Sequence, residues 1–273
     1  MPTNALHEIA DGVFVWLQAG GASGVSNAGV VVEGDGITVI DTLMVRSQWE
    51  PFARAVHSLG VPIRRVVLTH AHIDHVGGTK AFGQAAVYGS EQTSMLLDTT
   101  EMPIAAYKSF MSAFADEFDD LAETGCRTVT HVVADAAQLT DRIELLPAAG
   151  HTSGDVMVLI DDVSVLFAGD LCFFGVTPLA FQGDPALWAD TLDTLGDLAD
   201  TIVPGHGPIG DAGDCAVAAQ YLRHCVAGSV PPGPWDAWGE RAERDAINIE
   251  RAALLREGRD EMPPAMLRAI GIG

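Results

Sequence analysis

The first forty positions carry apolar residues in runs too short for buried helices. Three Val- and Ile-rich runs, 13–18, 28–33 and 37–41, are separated by Gly20-Gly21, Gly24 and Gly34-Asp35-Gly36. Runs bounded by such breakers read as strands, and Asp35-Gly36 predicts a tight hairpin turn. The period then changes. Trp49, Phe52, Val56 and Leu59 recur at helical spacing, and Gly60 stops the run. A short apolar strand follows at 65–69 and delivers His70 at its C-terminal end.

The second half repeats the scheme. Strands are predicted at 128–133, 142–146, 156–160, 164–168 and 201–203. A helix opens at Asp184-Pro185, with Asp as N-cap and Pro at the first position, and its buried stripe is Trp188, Leu192, Leu195 and Ala199. Helices at 214–227 and 235–257 follow, the latter closed by Gly258. Pro231-Pro232-Gly233-Pro234 is a stiff connector within a domain, because both flanks continue as amphipathic helices. Strands then helices, given twice, predict one α/β domain over 1–273, a sandwich of two similar halves.

Between the halves, 91–124 reads as helical and carries Met95, Leu96, Met102, Phe110, Met111, Phe114 and Phe118. It is either a pair of core helices or a lid with an apolar inner face, since Met-rich surfaces serve both purposes. The lid version would select an apolar acyl group. The C-terminal helices, 214–273, are left with two roles, a face between copies in a homo-oligomer or a wall of the substrate site.

Composition narrows the class. The chain is 48% hydrophobic and 19% charged, enough apolar material for a sizeable core and not the balance of a disordered chain. The formal charge of −22 repels phosphate backbones and argues against a nucleic-acid partner. Two divalent ions would offset only four of those units. No run approaches the ~20 apolar residues of a membrane span. Residues 1–11 lack a basic region followed by an apolar core, so the expectation is a cytoplasmic protein without a membrane partner. The four cysteines form no C-x-x-C pair and read as buried thiols.

The chemistry lies in four short strings. Thr69-His70-Ala71-His72-Ile73-Asp74-His75 places four metal donors within six residues. On an extended backbone positions i and i+2 point the same way, so His70 and His72 can reach one ion. Gly150-His151-Thr152, Ala168-Gly169-Asp170 and Pro204-Gly205-His206 each end or follow a predicted strand beside a glycine. Five histidines and two aspartates suffice for two transition-metal ions, and packing alone does not explain them. Imidazole and carboxylate donors suit zinc, with iron or manganese as alternatives. Two such ions can hold a hydroxide between them and make it a nucleophile near neutral pH.

The motif His70-x-His72-x-Asp74-His75, with His151, Asp170 and His206, resembles the metallo-β-lactamase superfamily of metallohydrolases over about residues 13–207. The resemblance implies a four-layer αβ/βα sandwich with the metals at one edge of the paired sheets. It implies that His70, His72 and His151 bind one metal, that Asp74, His75 and His206 bind the other, and that Asp170 bridges them. Asp74 would also orient the hydroxide and exchange its proton. Asp41 resembles the family's acidic residue behind the ligands, and Thr69 would lie there with it. Zinc β-lactamases of the best-known type carry Cys in place of Asp170 and Arg in place of His75. The all-His/Asp pattern instead resembles glyoxalase II, lactonase, thioesterase and ribonuclease Z relatives, and the negative charge disfavours the last.

The expectation is therefore a dinuclear zinc hydrolase cleaving an ester, thioester or lactone bond of a small, partly apolar substrate. β-Lactam hydrolysis would be a side activity. The alternative is an iron-dependent oxygen or sulfur enzyme of persulfide dioxygenase type, against which the second donor set stands. Phe173, Phe174, Thr177 and Phe181 follow Asp170 closely and are expected to border the pocket, one or two of the phenylalanines remaining core. Phe110 and Phe114 would join them from the 91–124 stretch. No Lys or Arg occurs from 143 through 222, so any cation would come from elsewhere, from Lys108 or the C-terminal arginines, such as Arg223.

Overall fold

Strands that are apolar on both faces must be covered on both faces, and that requirement sets the layer order. The computed structural model describes residues 4–18, 20, 22–98, 103–124 and 126–272; Gly21 and Met102, named above, lie outside them. The first sheet runs in sequence order: β1 (Leu6–Ala10), β2 (Val13–Trp16), β3 (Ala28–Glu33), β4 (Gly36–Ile40), β5 (Ile63–Val67), β6 (Ala86–Gly89) and β7 (His131–Val132). Its first four strands are antiparallel and its last four parallel. The second holds β8 (Ala137–Gln138), β9 (Ile143–Ala148), β10 (Asp155–Ile160), β11 (Val165–Phe173) and β12 (Thr201–His206), in the order β12-β11-β10-β9-β8. Only β11 and β12 pair in parallel there.

Period-2 alternation sorts the side chains. On β3, Val31 turns to the space between the sheets and Val30 to the helix on the outer face; on β11, Val165 and Phe167 turn inward and Leu166 and Ala168 outward. Helix α1 (Arg46–Ser58) covers the first sheet with Phe52 and Val56. A short α2 (Ile73–Val76) carries part of the donor motif. The 91–124 stretch contains α3 (Glu91–Leu97), α4 (Ile104–Phe110) and α5 (Phe118–Thr124). Helices α6 (Pro185–Leu195) and α7 (Ala212–Val226) cover the second sheet with Trp188, Leu192, Ala218 and Leu222. The Asp184 carboxylate caps α6 by accepting from the amides of Ala186 and Leu187, a contact worth about 1 kcal/mol. Helices α8 (Arg241–Arg256) and α9 (Pro264–Ala269) close the chain. The result is a metallo-β-lactamase fold with two mixed sheets and C-terminal helices. No helix among the described residues is long and apolar enough to cross a membrane.

Several sequence expectations are corrected. The hairpin turn is Gly34-Asp35 rather than Asp35-Gly36, because Glu33 pairs with Gly36. The helix expected at 235–257 is broken. A 3-10 turn at Pro234–Ala237 precedes α8, and Glu240 between them sits at φ +55°, which a continuous helix cannot contain. The strand expected at 128–133 shrinks to β7, and strands β1, β6 and β8 carried too few patterned residues to be read.

The sheets mesh through one small–large pair. A Cβ on Gly29 of β3 would stand 2.3 Å from the ring of Phe167 on β11. The ring is buried and held on all sides. Gly29→Ala should therefore destabilise by about 1–3 kcal/mol, lowering the thermal midpoint by roughly 3–10 °C. Adding Phe167→Leu should restore part of the loss, because the two changes share one contact. Calorimetry of the single and double variants checks this, and purely additive losses would contradict it.

Candidate metal centre

Four loops at one edge of the sandwich bring the donors together. His70 and His72 follow β5, Asp74 and His75 lie in α2, His151 sits in the turn between β9 and β10, Asp170 is within β11, and His206 ends β12. The last two are neighbours because β11 and β12 run parallel, Phe173 opposite His206. At Asp170 the strand is bent by Gly169, whose φ of +55° favours glycine and whose missing side chain leaves room for Thr69. Gly205 gives the Asp170 carboxylate its space, for a Cβ there would overlap Oδ1.

Two donor groups result. One is His70, His72, His151 and Asp170; the other is Asp74, His75 and His206. All are buried except His72, which is half-buried. In the first group, His151 Nε2 is 2.9 Å from His72 Nδ1 and 3.4 Å from Asp170 Oδ2. In the second, His206 Nε2 is 3.2 Å from Asp74 Oδ2, and His75 Nε2 is 3.0 Å from Asp170 Oδ1. Asp170 Oδ2 also lies 3.4 Å from His206 Nε2, so this carboxylate touches both groups. Atoms about 2.0–2.1 Å from a tetrahedral ion stand roughly 3.3 Å from each other, which is the spacing found here.

The outer nitrogens show which atoms are turned to the ion. His75 Nδ1 is 2.8 Å from Asp41 Oδ2, His70 Nδ1 is 3.1 Å from Thr69 Oγ1, His206 Nδ1 is 3.0 Å from the Val25 carbonyl, and His72 Nε2 is 2.8 Å from Gln182 Oε1. Of the ring atoms left over, His70 Nε2 and His75 Nε2 are buried and make no well-aligned hydrogen bond, nor does Asp170 Oδ1. An orphaned buried polar atom costs about 1–3 kcal/mol. A divalent cation would answer all of them, so the residues fit a metal pair. Asp41, at φ +57°, also accepts from the Thr69 amide and hydroxyl at 2.8 Å each. One carboxylate thus fixes both ends of the segment that carries the HxHxDH motif.

Charge within the cluster is divided. Burial pushes the Asp74 carboxyl up, but His75 and His206 outweigh it and hold it at about 2. Burial likewise raises Asp170, and His206 and His75 pull it well below the ordinary carboxylate range. Burial opposes a proton on His206, yet Asp170 and Asp74 raise it to about 9; His75 is raised likewise by Asp170, Asp41 and Asp74. His70 and His151 go the other way, burial lowering them, His151 to about 3.

Above the donors lies a cavity that the sequence anticipated only in part. Phe173, Phe181 and Phe110 line it. Phe174 does not: it is packed in the core behind β11. Thr177 is buried and donates to the Gly239 carbonyl at 3.0 Å. Phe114 lies beyond α4 on another face, beside Gln48 and Pro51. From the 91–124 stretch, Tyr107, Phe110 and Met111 reach the cavity, whereas Phe118 is core and Met95 points to solvent. The segment thus contributes both to the cavity lining and to the core. Leu179, Gln182, Met266 and Arg244 complete the wall and were not foreseen. The cation does come from the C-terminal arginines, though not from the one named. Lys108 pairs with Asp119 and Arg223 with Asp190 and Asp193, both outside the cavity lining, while Arg244 lines it. Arg244, Asn248 and Arg251, polar residues at helical spacing along a buried face of α8, were the available signal.

Comparison with known proteins agrees with this geometry. Residues 22–206 match the family model described as the metallo-beta-lactamase superfamily. A hydroxyacylglutathione hydrolase from Rhodobacter capsulatus is 25% identical over 238 residues, covering 80% of this chain and 82% of that one. An uncharacterized protein of Bacillus subtilis, YobT, is 31% identical over 153 residues, 53% of this chain and 60% of its own. The hydroxyacylglutathione hydrolases of Crocosphaera subtropica and Trichodesmium erythraeum are matched over 52% and 55% of their length, so this chain spans about half of those relatives. Among solved structures, the metallo-β-lactamase FIM-1 from Pseudomonas aeruginosa superposes with a TM-score of 0.60 at 20% identity, over 79% of this chain and 94% of that one. A metallo-β-lactamase from Hirschia baltica gives 0.60 at 16% identity, over 80% and 96%.

A pH dependence follows from the protons. Without metal, His206 carries a proton below about pH 9, and an ion taking its Nε2 must release it. His70 and His151 are already neutral above pH 6.5 and offer no such competition. Zinc affinity of the Asp74–His75–His206 group should fall at least about tenfold per unit between pH 8.5 and 6.5, and that of the other group much less. Chelator competition on His151→Ala and His206→Ala, each leaving one group intact, measures the two slopes. Equal slopes would contradict the assignment.

Proposed function

The chain belongs to the metallo-β-lactamase superfamily, and on that premise we propose a dinuclear metal-dependent hydrolase of an ester, thioester or lactone whose acyl part is apolar and uncharged. The observation that carries the reading is the contrast between floor and wall. The floor is His72, Asp74, His151, Asp170 and His206; the wall is largely hydrocarbon, with Phe110, Met111, Leu179, Phe181 and Met266. Divalent ions, zinc first among the candidates, would supply a water of lowered pKa and a Lewis acid for the carbonyl oxygen. His70, His72 and His151 would hold one ion and Asp74, His75 and His206 the other, with Asp170 shared.

The protein's own part is positioning and exclusion of water. Asp74 is the more exposed of the two carboxylates, its side chain 13% accessible against 4% for Asp170, and it lines the cavity. Held ionised, it can accept a hydrogen bond from an attacking water and so orient it. The aromatic and aliphatic wall seats the acyl chain beside this carboxylate and keeps bulk water out.

Charge separates this reading from that suggested by the relatives. A glutathione thioester brings two carboxylates. Arg244 is the one Lys or Arg among the described residues lining the cavity. Its guanidinium is already engaged by Glu240, the Thr177 carbonyl and the Ser23 hydroxyl. With a chain charge of −22 besides, an anionic substrate finds little to answer it.

A panel of neutral esters, thioesters and lactones of rising acyl length, set beside a glutathione thioester, tests this on zinc-loaded protein. Neutral apolar acyl groups should have the higher kcat/KM, and chelation should abolish turnover. A preference for the glutathione thioester would overturn the substrate reading. Asp74→Asn should lower kcat by about 10²–10⁴ with a smaller change in KM, provided metal analysis shows both ions retained; an unchanged rate with both ions present would remove Asp74 from the chemistry. Phe110→Ala and Met266→Ala should raise KM for long acyl esters and leave acetyl esters within about twofold. Equal effects on long and short substrates would report lost stability instead.

A further inference from the structure

The partner of His72 differs in origin from those of the other histidines. His75 and His70 are backed by Asp41 and Thr69, which sit at strand ends of the first sheet, and His206 by the Val25 carbonyl. His72, the half-buried member, is fixed from one loop only. Phe181 stacks on its ring, centroids 5.0 Å apart at 20°, and Gln182 Oε1 meets its Nε2 at 2.8 Å. Since His72 Nδ1 faces His151 Nε2 in the donor group, the proton must reside on Nε2, and Gln182 must present its oxygen.

This loop has no sheet to satisfy its backbone. Helix α8 does so instead, with three side chains of one face. Arg244 donates to the Thr177 carbonyl at 2.6 Å. Asn248 donates to the Pro178 carbonyl and accepts from the Ala180 amide, each at 2.8 Å. Arg251 donates to the carbonyls of Gly183 and Gln182 at 2.8 and 3.1 Å, and pairs with Asp260. Gly183 lets the loop lie against the His151 turn, for a Cβ there would come within 2.3 Å of the Gly150 carbonyl.

We propose that Gln182, its backbone clamped by Arg251 of α8, is a positioning residue that holds His72 in its ligating tautomer and so sets the metal affinity of the His70–His72–His151 group. The proposal rests on the reading that this group binds metal, and it is tested by metal binding rather than turnover. It gives the C-terminal helix a part in the metal centre through the chain Arg251, Gln182, His72.

Cobalt(II) and zinc titrations of the full chain, with chelator competition and the visible cobalt spectrum, read the two ions separately. Gln182→Met removes the acceptor at nearly constant volume. It should weaken the ion of the His70–His72–His151 group by about 10–100-fold, alter that ion's cobalt spectrum, and leave the other ion within about threefold. Gln182→Glu keeps an acceptor oxygen at the same place and should restore affinity and spectrum. Arg251→Met should reproduce the selective loss, and Arg251→Lys, which keeps donors to the loop, should lessen it. Wild-type binding by Gln182→Met, equal weakening of both ions, or failure of Gln182→Glu to restore the first would each overturn the proposal. If the unaltered protein binds no metal at all, the functional reading fails before this one is reached.

Discussion

A buried carboxylate keeps its charge only when something close answers it, and Asp170 is the point at which this molecule meets that condition. Its oxygens lie within 3.0–3.8 Å of ring nitrogens from His75, His151, His206 and His70. Those rings come from three separate segments of chain, and Asp170 itself from a fourth. The carboxylate is therefore the node that obliges the two sheets to end at the same edge. Isolated in the interior, an ionised group of this kind costs several kcal/mol even after relaxation. The surrounding rings, two of them raised to carry protons when no ion is bound, remove that cost.

The backbone around the node is shaped to match. Asn27 accepts nothing from the metal donors but ties the segment around His206 together, donating its amide to the Gly205 carbonyl and its side chain to the carbonyls of Pro204 and Gly207. Thr42 binds the His75 carbonyl through both its amide and its hydroxyl. The strained conformation at Asp41 is kept by three hydrogen bonds to its carboxylate, so a local cost of about 1–3 kcal/mol is offset where it is incurred. Rigidity at the donors contrasts with the cavity wall above them, which is assembled from α4, α9 and a loop.

What could be read from the sequence follows the same division. The donor strings were legible because chemistry and position coincide: each lies at or close to a strand end, and His151, Asp170 and His206 each follow a glycine. Strand interiors were legible because their faces alternate or are apolar throughout. The cavity wall was not, and for definite reasons. Phe173 is the last residue of β11 and reaches the cavity, whereas Phe174, just beyond the strand, packs against Gly210. Phe114 follows the end of α4, where a 3-10 turn carries it away from the site. Gln182 is one amide in an aperiodic loop, and the Val25 carbonyl that orients His206 has no side-chain signature at all. Arg244, Asn248 and Arg251 were on the page as polar residues where an amphipathic helix should be apolar, but what they bind lies some seventy residues earlier in the chain.

That separation in sequence has a consequence for the order in which the molecule is made. All seven donors have left the ribosome once His206 has emerged, well before α8. The carbonyls of Thr177, Pro178, Gln182 and Gly183 then have no partner but water, and nothing yet draws Gln182 toward His72. The nascent chain can offer its histidines to any passing cation in that interval, without the geometry that distinguishes one metal from another. On the proposal above, the first donor group is held to a single arrangement only when α8 docks. On the same proposal, the geometry of the first donor group is in this sense a late property, set once α8 docks and not when its ligands first appear.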